Sequence, residues 1–353
     1  MSDSPGDIGA LYLELSRRVI DAGIKLGKAS AATVGCSLKE EVWRQDKTVL
    51  YRYLPLPFTQ PSRAQPVLIC FALVNRPHIL DLQTDRSLVQ RLLAAGLDVY
   101  LIDWGRPDAS DRDLELHDYI ERYLGSCVEH ILQANNIDAL NLIGVCQGGT
   151  LSLCYCALHP EQVANLVTMV TPVDFHTPDN LLSKWARHLD MDLIRRAGNV
   201  SGDALIGLFL SLSPFRLMHQ KYVRLFDQAM DTRTAESFVR MEKWIFDSPD
   251  QPAAATAQFV QWFYQQNGLI RGTVQIGGRR VNLGRIRCPV LNIYSRQDHI
   301  VPPSAATALR RYIGSPDYTE QEVDTGHIGL YVSRRAQEVV PSRIVTWLRE
   351  RAT

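Results

Sequence analysis

Residues 139–157 read ALNLIGVCQGGTLSLCYCA, an apolar β-branched run, a cysteine among glycines, then a packed apolar run of helical character. A side chain at such a junction is pushed out of the backbone on a tight turn, provided its neighbours carry no side chains to collide with it. Gly144 and Gly148 meet that condition. The spacing is G-x-nucleophile-x-G with Cys146 as the nucleophile, in the strand-turn-helix context that gives the pattern its meaning. The turn exposes the sulfur, and the N-terminus of the following helix sets the positive end of its dipole beside it, which favours thiolate over thiol.

Outward from this stretch the chain alternates strand and helix. VLICFAL (67–73) predicts a buried strand and Gln83 to Ala95 a helix. LDVYLIDW (97–104) predicts a second strand, and Asp111 to Asn135 a long helix. The strand into Cys146 is the third and VANLVTMVTPV (163–173) the fourth. Continuous apolar strands separated by helices make a mostly parallel sheet covered on both faces. Upstream, EVWRQDKTVLYRYLP (41–55) predicts one or two strands with a turn at Gln45-Asp46-Lys47. Residues 1–38 hold an amphipathic helix over 8–26, with Ile8, Leu11, Tyr12, Leu15, Val19, Ala22 and Leu26 on one face, docked on its own domain or offered to a partner.

The rhythm breaks between Asp174 and Arg285. Trp185, Trp244, Trp262 and ALIGLFLSLSPF (204–215) lie among helical periods with no clear strand, which predicts a helical cap over 174–284 at the sheet edge where strands end. PVLNIYSRQD (289–298) restores a strand, Ser304 to Tyr312 a helix, YTEQEV (318–323) a strand and Arg334 to Arg351 a last helix. The catalytic core is then 39–173 together with 285–353.

With 46% hydrophobic and 22% charged residues the chain has the composition of an ordinary globular protein, and its 38 basic and 38 acidic residues cancel, which argues against a nucleic-acid partner. The opening residues lead us to expect no secretory signal, and no apolar run reaches roughly 18–20 residues, so no transmembrane segment is expected. The seven cysteines sit mostly in apolar runs and read as reduced thiols of a cytoplasmic protein, with no spacing that suggests a metal.

A nucleophile on such a sheet needs an acid and then a histidine later in the chain. Asp298 follows the restored strand in SRQDHIVP, and His327 follows the last strand in DTGHIGL, so both belong at the same sheet edge as Cys146. His327 would remove the thiol proton and Asp298 would hold its ring in the productive tautomer. His299 remains an alternative base and Asp174 an alternative acid, whereas Asp324 reads as a turn residue. Attack on a carbonyl also needs donors for the developing oxyanion. The backbone N–H of Gln147 supplies one by the geometry of the turn, and Val74, in the loop after the first parallel strand, is the choice for the second.

These residues resemble the polyhydroxyalkanoate synthases, specifically the short catalytic subunit of the two-subunit, class III kind. The resemblance runs from about Tyr51 to the C-terminus and rests on GVCQGG (144–149), ALVNRPHILDLQTDRS (72–87), DVYLIDWG (98–105), QDHIVP (297–302) and GHIG (326–329), in that chain order. It implies an α/β-hydrolase fold with a helical cap. The implied activity is polymerisation of (R)-3-hydroxyacyl-CoA, with short chains such as 3-hydroxybutyryl favoured, and release of CoA. The family's cysteine, aspartate and histidine fall on Cys146, Asp298 and His327. The resemblance further implies no cofactor beyond the CoA thioester substrate, a second PhaE-like subunit, a homo-oligomer and a cytoplasmic site at the surface of the growing polyester granule. Arg76, Arg279 and Arg280 are candidates for the CoA phosphates. A cysteine thioesterase or intracellular depolymerase would share the triad, and a non-catalytic granule protein would not need it.

Overall fold

The computed structural model describes residues 21–212 and 231–352, save 22 and 63. Most of the amphipathic helix expected over 8–26, and the last three positions of the apolar stretch 204–215, lie outside the described residues.

Eight strands form one sheet: β1 (Lys39–Gln45), β2 (Thr48–Tyr53), β3 (Val67–Cys70), β4 (Val99–Asp103), β5 (Leu140–Val145), β6 (Val163–Met169), β7 (Val290–Ser295) and β8 (Tyr318–Val323). Their spatial order is β1-β2-β4-β3-β5-β6-β7-β8. The β1–β2 hairpin, turned at Asp46 with φ 50°, and the β2–β4 pair are antiparallel; every other pairing is parallel. Successive side chains of a strand leave opposite faces, and here both faces are apolar. Leu68 and Cys70 of β3 and Leu142 of β5 join the cluster beneath α2 (Gly125–Asn135) and α3 (Gln147–Leu158). Val67, Ile69 and Ile143 join the one beneath α1 (Leu88–Ala94) and the C-terminal α9 (Arg334–Arg349).

Three expectations are corrected by local chemistry. The helix expected from Gln83 begins only at Leu88, because Asp81–Gln83 and Arg86–Ser87 form a small hairpin. Its buried Asp81 carboxylate accepts the Ser37 N–H and hydroxyl (both 2.8 Å) and the Ser87 hydroxyl (2.6 Å), and Ser87 also caps α1 at Gln90 N. The long helix expected from Asp111 is a 3₁₀ turn at Ala109–Asp111, then π-helical turns over Asp118–Leu124, then α2. In the segment expected to lack strands, Gln275–Ile276 pairs with Arg279–Arg280 around Gly277-Gly278, whose φ of 53° and 73° suit a two-residue hairpin turn.

The segment between β6 and β7 contains α4 (Leu181–Ala186), α5 (Met191–Ala197), α6 (Gly202–Ser211), α7 (Thr232–Ile245) and α8 (Ala253–Phe259). From α8 onward it packs into the core: Ala255, Phe259, Phe263, Leu269, Ile276 and Leu283 share a cluster with Tyr119 and Leu151. The helices α4 to α7 lie over the carboxyl edge of the sheet.

Candidate active site

Between β5 and α3 stands the single residue Cys146, with φ 53° and ψ −124°, a conformation that costs energy for any residue carrying a Cβ. The surroundings hold it there. Its N–H donates to Met169 O at 2.8 Å and its carbonyl accepts Gly149 N at 2.9 Å. A Cβ at Gly144 would sit 2.6 Å from Gly149 Cα, one at Gly148 2.3 Å from Cys70 O, and one at Gly149 1.9 Å from Thr171 Oγ1. All three glycines are therefore needed for the elbow to nest between β3 and the loop after β6; Gly149 is the one that the G-x-C-x-G pattern does not contain.

Asp298 lies in the turn after β7 and is fully shielded in its side chain. Its Oδ1 accepts the N–H groups of Ile300 (2.9 Å) and Val301 (2.8 Å), which leaves Oδ2 to accept from His327 Nδ1 at 2.7 Å. With Nδ1 so engaged, Nε2 is the nitrogen left for chemistry. His327 lines the same cavity as Cys146, and the Tyr331 hydroxyl lies 3.3 Å from Nε2. Burial by itself would push the imidazole towards its neutral form. The Asp298 carboxylate, then Cys146, outweigh that through charge and hydrogen bonding and raise the imidazole from 6.5 to about 10. The geometry thus brings together the three residues that the sequence singled out.

The alternatives fall elsewhere. Asp174 accepts from His176 N (2.9 Å) and Asn267 Nδ2 (2.8 Å), so it caps a loop. The histidine bonded to Asp298 is His327, while His299 lines the cavity beside it. Asp324 accepts from Gln297 Nε2 at 3.0 Å, a turn role. Arg76 is tied to Asp103 (2.6 Å) and Gly105 O (2.8 Å), Arg279 to Glu121 (2.6 Å), and Arg280 to Gly272 O; none of the three lines the space around Cys146.

Two apolar cavities meet at Cys146 and share Ala72, Val74, Phe209 and Ile300 as walls. The smaller, about 140 Å³, holds His327, Tyr331 and Trp244. The larger, about 320 Å³, runs beneath α4 to α6 past Leu182, Leu205, Phe259 and Tyr264. Trp185 is 38% exposed and lines neither cavity, whereas Phe209 lines both and Trp244 the smaller. Val74 and Gln147 both border the larger cavity, and the Gln147 side chain accepts the Leu73 N–H at 3.1 Å. Tyr331 went unremarked in the sequence, although its place four residues after His327 puts it one helical turn along. Among the described residues no cluster of metal-ligating side chains occurs and no helix is long and apolar enough to cross a membrane.

Comparison with known proteins agrees with the fold. A model of the α/β-hydrolase fold matches residues 65–333. The poly(3-hydroxyalkanoate) polymerase subunit PhaC of Allochromatium vinosum is 51% identical over 346 residues, covering 96% of this chain and 98% of that one. The protein of the same name from Thiocystis violacea is 49% identical over 347 residues (96% and 98%), and that from Synechocystis 48% over 326 residues (90% and 86%). Among solved structures, a thermophilic esterase from Thermogutta terrifontis aligns with a TM-score of 0.53 at 17% identity, over 90% of this chain and all of the other, a likeness of fold alone.

Proposed function

The chain belongs to the poly(3-hydroxyalkanoate) polymerase subunits built on the α/β-hydrolase fold, and from that premise we propose that it polymerises (R)-3-hydroxyacyl-CoA, foremost 3-hydroxybutyryl-CoA, through an acyl thioester on Cys146. The observation that carries the reading is that Asp298 holds His327 at 2.7 Å and that His327 and Cys146 line one apolar cavity.

The chemistry proceeds in two halves. The Cys146 thiolate attacks the thioester carbonyl, a new C–S bond forms, the bond to the CoA sulfur breaks, and His327 returns its proton to the departing thiolate. The Gln147 and Val74 N–H groups hold the transient oxyanion. One thioester has replaced another, so this half is nearly balanced in free energy. In the second half neutral His327 accepts the proton of a 3-hydroxyl group, whose oxygen attacks the acyl-enzyme; an oxoester forms and Cys146 is released. That exchange runs downhill, which is why a cysteine suits a CoA donor and a hydroxyl acceptor. Asp298 stabilises the imidazolium in both halves. Water competes with the hydroxyl for the same intermediate, and the apolar walls around Phe209 and Trp244 lower its access. CoA is product and no cofactor takes part. A PhaE-like second subunit, a homo-oligomeric state and a cytoplasmic place on the polyester granule complete the proposal.

The test incubates the chain with (R)-3-hydroxybutyryl-CoA, alone and with a second subunit, and follows CoA release while separating insoluble polymer from free acid, with Cys146→Ala as control. Polymer that depends on Cys146 is the expected result. Free acid alone would make the chain a thioesterase or depolymerase, and absence of CoA release under both conditions would make it a non-catalytic granule protein.

A further inference from the structure

We propose that Gln251, on the chain between α7 and α8, is a positioning residue that aims the Val74 N–H at the oxyanion formed on Cys146. The inference rests on the oxyanion role given to Val74 above and adds the group that sets its direction. The Leu73 carbonyl and the Val74 N–H belong to one peptide unit, which is planar and trans, so the two point in opposite directions. Gln251 Nε2 donates to Leu73 O at 2.8 Å. Drawing that oxygen towards Gln251 turns the Val74 N–H the other way, on a loop whose Val74 borders both cavities at Cys146. The preceding peptide is held as well, since Leu73 N–H donates to Gln147 Oε1 at 3.1 Å. Two glutamines, one on the elbow and one from the segment over the sheet edge, thereby grip a single loop residue.

Gln251 is itself held in place. It is 5% exposed, its backbone pairs with Val200 in both directions (2.8 and 2.9 Å), and Nε2 has its second acceptor in Pro249 O at 3.3 Å. Val200 leads into α6, whose Phe209 walls both cavities, so one residue ties the cavity roof to the oxyanion loop. The next turn of that loop is tied to the same segment: Asn75, at φ 60°, donates to Trp244 O (3.2 Å) and Ile245 O (3.3 Å), and Trp244 Nε1 donates to Arg76 O at 2.7 Å. It follows that the segment cannot lift away from the sheet without freeing the peptide that carries the donor.

The experiment compares Gln251→Leu and Gln251→Glu with wild type in the full chain. Nitrophenol release from p-nitrophenyl butyrate reads acylation without any polymer step, and CoA release from (R)-3-hydroxybutyryl-CoA reads it with the proposed substrate. In Gln251→Leu the kcat for acylation is expected to fall about 10- to 100-fold while KM stays within about threefold, because the donor is misdirected and not removed. Gln251→Glu is the sharper probe. Its carboxylate repels Leu73 O, whereas its protonated form donates to it, so the deficit relative to wild type should shrink as pH falls. A Gln251→Leu kcat within twofold of wild type, or a Gln251→Glu deficit that does not change with pH in a chain that unfolds at the wild-type temperature, would overturn the inference. Failure of hydroxybutyryl-CoA to release CoA while the nitrophenyl ester behaves as expected would count against the proposed function alone.

Discussion

Gly148→Ala puts the packing of the elbow to a direct test. The added methyl would lie 2.3 Å from Cys70 O and 2.4 Å from Phe71 O, where an ordinary C···O approach is about 3.3 Å. Relief therefore needs an opening of about 1 Å, and both obstructing atoms are backbone. Cys70 cannot yield easily, because it is registered between Ile102 of β4 and Gly144 of β5. The burden falls on the elbow and on the loop from Phe71 that leads to Val74. Overpacking of this kind costs about 1–3 kcal/mol of stability. A shift of about 1 Å between a nucleophile and its oxyanion donors costs on the order of 100-fold in rate. Urea unfolding measures the first quantity, and the initial burst of CoA or nitrophenol release measures the second. Gly207→Ala serves as control, since nothing lies within 4 Å of its added methyl and α6 should gain up to about 1 kcal/mol. A Gly148→Ala chain with wild-type stability and a rate within threefold would refute the argument that the glycine is there to let the elbow and the loop touch.

His327 is raised from 6.5 to about 10, so its stabilising contribution is complete below about pH 6.5 and is lost as pH rises through about 10. Asp298→Asn removes the largest raising charge; its unfolding free energy should decline less between pH 7 and 10 than that of wild type, and the imidazole should titrate lower by NMR. Alkylation with iodoacetamide at neutral pH should label Cys146 well before Cys36, although Cys36 lies at the surface: partial burial of its sulfur, then the Asp81 carboxylate, push that thiol up to about 12. The thiols of Cys70 and Cys154, pushed by burial to about 12, should react only on unfolding. Phe209→Ala, which opens the wall common to both cavities, should raise the ratio of free acid to polymer several-fold, while Trp185→Ala should leave it unchanged; product analysis after complete turnover decides between them.

The inner strands were legible because each buries two faces and so writes a continuous apolar run, as Val67–Cys70 and Leu140–Val145 do; the edge strand YTEQEV, mostly half-buried, carries no such run and is a strand over its full span, Tyr318–Val323. Asp298 and His327 were legible because they follow strand ends in the order such a sheet demands. The hairpin at Asp81–Ser87 was not, since what makes it is a buried carboxylate gathering donors from Ser37, far upstream. Gly277-Gly278 did signal a hairpin, but its strands are only two residues long, too short to show a period. Gln251 left no mark at all: its role lies in a single carbonyl 178 residues away, and no local pattern records a contact of that range.

The place of the long segment between β6 and β7 also sets a timetable. Pairing Leu166 with Val290 closes a loop of about 120 residues, a large entropic step beside the shorter crossovers that join β3, β4, β5 and β6. A chain made from its N-terminus can therefore build the strand that ends at Cys146 while Asp298 and His327 are still unsynthesised or undocked. In pulse-labelled exchange the β3–β6 amides should become protected before those of β7 and β8. Until then Cys146 has neither of the partners proposed for it, His327 and Asp298. The sheet that presents the sulfur is laid down first, and the chemistry is switched on by the last strands to arrive.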